Sequence, residues 1–92
     1  MAVSQTFRIQ RVSLSAGVRT AITPPATFKS LAIDNGTTGD LTVYTNDDES
    51  EYLVISAGYG RTIPVEQHRF SPSETACWLK AASSGTAVIL WT

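Results

Sequence analysis

Cysteine occurs once in the 92 residues, at Cys77, so no disulfide can form within the chain and the fold must rest on packing and hydrogen bonds. Charge is also scarce. Asp, Glu, Lys and Arg make up 16% of the residues, against about 25% in an average globular domain. The formal net charge of −1 lacks the strongly basic balance of a nucleic-acid binder. No apolar run approaches the roughly 18 residues that a membrane-spanning helix needs. Residues 1–6 carry neither a basic start nor an apolar core, so no secretion signal is expected. A protein made in a cytoplasm, with no membrane partner, is the expectation.

Reactive chemistry is sparse as well. His68 has no second His or Cys beside it to complete a metal site and reads as a solvated side chain. Cys77 has no neighbouring base to lower its pKa and reads as a buried, inert thiol. Asp47-Asp48-Glu49-Ser50-Glu51 concentrates carboxylates but lacks the spacing and central glycine of a calcium loop, so a solvated turn is expected. The glycines do not bridge a strand and a helix as a phosphate loop requires. No nucleophile elbow or paired catalytic carboxylates stand out. The expectation is a non-enzyme with no cofactor and no metal.

What the chain does have is alternation. Residues 6–14 place Phe7, Ile9, Val12 and Leu14 on one side, with a phase slip at Gln10-Arg11 that implies a β-bulge or two short strands. Further strands are expected over 18–23, 28–34, 40–45, 52–55, 61–66 and 87–91. Leu41, Val43 and Thr45 are expected inward. Between two of these, Asn35-Gly36-Thr37-Thr38-Gly39-Asp40 gathers turn formers and reads as the turn of a β-hairpin, with Gly36 and Gly39 supplying positive φ. Residues 71–82 are ambiguous. Ser71-Pro72-Ser73-Glu74 resembles a helix capping box, yet Cys77, Leu79 and Ala81 alternate with Trp78 and Lys80 as a strand would. With a strand there, the total is about eight short strands, the rhythm of a small antiparallel β-sandwich or barrel in a single all-β domain.

The charges segregate along the chain. Arg8, Arg11, Arg19 and Lys29 occupy residues 1–30 without an acid, while Asp34, Asp40, Asp47, Asp48, Glu49 and Glu51 occupy 31–60 without a base. That pattern suits docking of the basic part on the acidic middle, within the chain or between copies. Residues 52–55 and 87–91 are apolar on both faces, more than one sandwich core can cover. Arg8, Arg11, Arg19, Tyr52, Val54, Ile89 and Trp91 are therefore candidate interface residues of a homo-oligomer, a trimer or dimer. Residues 1–12 form a candidate extended arm. Tyr44, Tyr59, Trp78 and Trp91 are alternatively a sugar-stacking platform.

Four phrases carry a resemblance: "LSAGVRTAI", "LAIDNGTTGDLTVYTND", "YLVISAGYGR" and "CWLKAASSGTAVILWT". In this order they resemble small structural proteins of tailed-bacteriophage virions, in particular head decoration (cement) proteins of jelly-roll type. The resemblance covers most of the chain from about Leu14 and lies in turn-and-strand grammar. It implies a jelly-roll-like β-sandwich, located in the virion, that binds a major capsid protein on the outside of the assembled head and stabilises the shell. The same phrases also suit a tail or baseplate sandwich. A small carbohydrate-binding module is the reading from a different class.

Overall fold

The computed structural model describes residues 8–25, 28, 30–64 and 74–92. Eight strands run through them: β1 (Arg8–Leu14), β2 (Arg19–Ile22), β3 (Ser30–Asn35), β4 (Leu41–Tyr44), β5 (Tyr52–Ile55), β6 (Gly60–Pro64), β7 (Cys77–Ala81) and β8 (Gly85–Trp91). They form two antiparallel four-stranded sheets, β1-β8-β3-β6 and β2-β7-β4-β5. Of the links between successive strands, only β4–β5 joins neighbours in one sheet; every other link crosses between the sheets. This order is that of a jelly roll, a two-layer architecture built from two Greek keys.

Alternation explains the layers. From the first sheet Leu14, Leu31, Ile33, Ala87, Ile89 and Trp91 point inward. From the second, Ile22, Leu41, Val43, Ile55, Cys77 and Leu79 meet them, closing a single core. Phe28 packs on its rim, its ring 6.0 Å from that of Trp91.

Residues 77–81 are strand, not helix. β7 lies between β2 and β4 with Cys77, Leu79 and Ala81 buried, so sheet pairing on both sides outweighs the helical signal. The capping motif at 71–73 and His68 fall outside the described residues, as does Phe7.

The phase slip in β1 produces neither a bulge nor a break. Pairing with β8 is continuous from Arg8↔Trp91 to Leu14↔Gly85. The strand keeps strict alternation by turning Gln10 inward and Ile9 outward, where Ile9 is 54% exposed. A polar residue is tolerated there because the Trp91 indole Nε1 donates to Gln10 Oε1 at 2.9 Å, which satisfies both groups. Residues 8–12 of the candidate arm thus belong to the sheet; residues 1–7 lie outside the described part.

The Asn-Gly-rich segment also differs from expectation. β3 and β4 lie in different sheets, so the segment is an arch across one end of the sandwich and not a hairpin. The Asn35 side chain is buried at its base. Its Nδ2 donates to the carbonyls of Gly39 and Ile55, both at 2.8 Å, while Oδ1 accepts from the Thr37 backbone at 3.0 Å and the Thr37 hydroxyl at 2.6 Å. Among described glycines only Gly17 (φ 74°) and Gly58 (φ 80°) are left-handed, so Gly36 and Gly39 serve another purpose. A Cβ at Gly36 would collide with the Thr86 carbonyl oxygen, and one at Gly39 would lie 2.8 Å from Ser83 Oγ. Close approach between segments requires these glycines, not turn geometry.

Candidate functional site

The outer face of the second sheet carries the densest group of polar and aromatic side chains. Its register aligns two rows across β2-β7-β4-β5: Arg19, Lys80, Thr42 and Val54, then Ala21, Trp78, Tyr44 and Tyr52. Arg19 is the hub. Its Nη2 meets Asp47 Oδ1 at 2.8 Å, its Nη1 meets Glu49 Oε2 at 3.4 Å, and the same nitrogen donates to the Asp47 carbonyl. The guanidinium carbon also lies 5.8 Å from the Trp78 ring centroid, within cation–π range. Lys80 reaches the other Glu49 oxygen at 3.8 Å. For Arg19, basic N-terminal and acidic middle segments therefore meet within one chain.

The carboxylates of the β4–β5 turn are occupied by this clamp and by the turn itself. Asn46 Oδ1 accepts from the backbone N–H groups of Ser50 and Glu51, and Asp48 Oδ1 accepts from Ser50 N–H at 2.9 Å. Hydrogen bonds from the Ser50 side chain and backbone hold the exposed Asp48 carboxyl below its ordinary value. Glu49 takes φ 62°, the left-handed conformation that closes the turn. Thr45, expected inward, is exposed instead; its hydroxyl donates to Glu51 Oε1 at 3.2 Å. β4 ends at Tyr44, and although the Thr45 N–H still donates to the Glu51 carbonyl at 3.1 Å, the core no longer covers its side chain. Among the described residues no group of three His, Cys, Asp or Glu is placed to hold a metal ion.

The aromatics do not form one platform. Trp91 is fully buried in the core, Tyr44 is 8% exposed, and Trp78 is half-buried beside Arg19. The Tyr44 and Tyr52 rings sit 6.1 Å apart at 56°, which is tilted and not coplanar. Tyr52 is 65% exposed on the edge strand β5, together with Val54. Tyr59 stands in the β5–β6 turn, beside a shallow cleft lined by Val54, Ile55, Ser56, Gly60 and Arg61.

Of the candidate interface residues, Ile89 and Trp91 are displaced. Both are fully buried, because strand parity on β8 sends them inward and leaves Val88 and Leu90 outside. Tyr52 and Val54 are outward and open, so β5 is covered on one face only among the described residues. Arg8 and Arg11 are exposed on β1 with no ion-pair partner among the described residues. Sequence reasoning missed Asn35, the polar residue that ties the sheets together; its place in an Asn-Gly turn signal concealed it. Cys77 is buried, and desolvation pushes its thiol up to about 12.

Comparison with protein-family models, curated proteins and solved structures finds no match.

Proposed function

We infer that the protein is a non-enzymatic structural component of a bacteriophage virion, a decoration (cement) protein that binds the outside of the assembled head and stabilises it. The observation that carries the reading is a sandwich whose outer faces present the open apolar side chains Ile9, Tyr52 and Val54, with Tyr59 open in the β5–β6 turn, on a chain of low charge. Such surfaces suit burial against protein neighbours better than catalysis. The resemblance of the turn-and-strand phrases to head decoration proteins supports the same reading. Its partners would be further copies of this chain and a major capsid protein.

A sugar platform is disfavoured by the burial of Tyr44 and Trp91 and by Arg19 beside Trp78. The test is co-sedimentation of purified protein with assembled phage heads that lack it, followed by electron cryomicroscopy. Saturable binding with regular density on the outer shell is the expected result. No binding to heads, with labelling of tails or retention on a glycan array instead, overturns it in favour of the corresponding alternative.

A further inference from the structure

The outer face of the first sheet holds a pattern that the functional reading does not use. Register across β1-β8-β3-β6 aligns two outward rows. One is Ile9, Leu90, Ala32 and Thr62; the other is Arg11, Val88, Asp34 and Gly60. Val88, Leu90 and Ala32 are half-buried along the middle of the face, while Ile9, Arg11 and Asp34 are exposed around them. Neither Arg11 nor Asp34 has an ion-pair partner among the described residues, although they flank Val88 on opposite sides. With strands about 4.8 Å apart, their Cα atoms lie roughly 10 Å from each other.

We propose that this face is a self-complementary surface on which a second copy of the chain docks about a two-fold axis. Consider an axis lying over β8 and parallel to it. Rotation about it turns the face onto itself and carries β1 of one copy over β3 of the other. Arg11 then meets Asp34 of the second copy, and Asp34 meets its Arg11, so one operation forms two ion pairs. In the neighbouring row the large Ile9 faces the small Ala32, twice, while Leu90 and Val88 meet their own counterparts at the axis. Charge and size both match under this single rotation, as an isologous interface requires. Sheets packed face to face sit about 10 Å apart with axes within about 30° of each other, which leaves room for the arginine fork to reach a carboxylate.

The second sheet has no such symmetry. A two-fold over β7 there sets Lys80 against its own counterpart and Arg19 against Thr42, one midway between β7 and β4 sets Arg19 against Val54, and Arg19 is already engaged with Asp47 and Glu49. The three strands that overlap under this rotation, β1, β8 and β3, about seven residues long, form a patch on the order of 330 Å² per copy. That places the pair at the small end of specific interfaces, so a weak, salt-sensitive dimer is expected. The inference does not depend on capsid binding and is tested on the isolated protein.

Sedimentation equilibrium at concentrations up to roughly 100 µM should show the wild-type dimer dissociating on dilution. Arg11→Asp and Asp34→Arg each place like charges in both contacts, and each should weaken self-association at least about tenfold. An equimolar mixture of the two variants restores both ion pairs and should dimerise like the wild type, as should the double charge swap. Val88→Cys, which lies at the axis, should be joined by a short bis-maleimide, while the buried Cys77 does not compete. Adding Arg11→Asp should abolish that cross-link. A wild type that stays monomeric, single swaps that dimerise normally, or a mixture that stays monomeric would each overturn the proposal.

Discussion

The Asn35 carboxamide donates to the Ile55 carbonyl oxygen at 2.8 Å and so ties the end of β3 in one sheet to the end of β5 in the other. Asn35 is 2% exposed, and the Gly39 carbonyl it bonds also accepts from the Thr37 hydroxyl at 3.0 Å. Asn35→Ala leaves the Ile55 and Gly39 carbonyls and the Thr37 N–H without it. Stability should fall by about 3 kcal/mol, because several buried polar groups lose their partner at once. Urea unfolding measures this, and a loss below about 1 kcal/mol would show that water replaces the side chain.

Glycine positions separate two physical causes. Gly36→Ala should cost roughly 1–3 kcal/mol, since its Cβ meets the Thr86 backbone, which cannot rotate away. At Gly58 a Cβ meets nothing within 4 Å, but φ is 80°. Gly58→Ala should therefore cost only about 1 kcal/mol, and Gly58→Asn less, because asparagine tolerates the left-handed region. Thermal unfolding of these three variants and of Gly36→Asn tests the ordering; asparagine should give no relief at Gly36.

Arg19→Ala removes the clamp over the β4–β5 turn and uncovers Trp78. The ion pairs are partly exposed, with side-chain exposures of 32% for Arg19 and 75% and 40% for Asp47 and Glu49. The stability loss should stay at or below about 1 kcal/mol and shrink in salt. Tryptophan fluorescence should nevertheless shift to the red through Trp78 alone, Trp91 being enclosed. An unchanged spectrum would place Trp78 out of reach of the guanidinium.

Cys77 should resist thiol reagents until the chain unfolds, so its labelling rate reports opening of the core. Its pKa is about 12 in the folded state against an ordinary 9.0. Above pH 9 the unfolded chain loses this proton first, and the folded state binds more protons. Stability therefore falls as pH rises from about 9 towards 12. The Cys77→Ala variant should lose that part of the slope, which a pH series of urea titrations can read.

The elements were legible in the chain wherever alternation was unbroken. Leu41 and Val43, and Cys77 and Leu79, announce buried faces by spacing alone, because period-two geometry is local to each strand. Arg8, Arg11, Tyr52 and Val54 were likewise found on the surface as their residue types and positions suggested. Gln10 and Ile9 were not, since only the presence of Trp91 across the strand makes an inward glutamine and an outward isoleucine the better arrangement.

By itself, then, the sequence determined that the chain forms about eight short strands, where most of them lie and that no disulfide staples them. Tertiary structure decided which strands pair. The Asn35–Asp40 segment carries every local sign of a hairpin, yet β3 pairs with β6 and β8 while β4 pairs with β5 and β7. It also decided that Ile89 and Trp91 lie inside and that Arg11 and Asp34 share one outer face. Turn residues specify that a chain reverses, whereas the sheet a strand joins depends on backbone groups and apolar area supplied by segments far away in sequence.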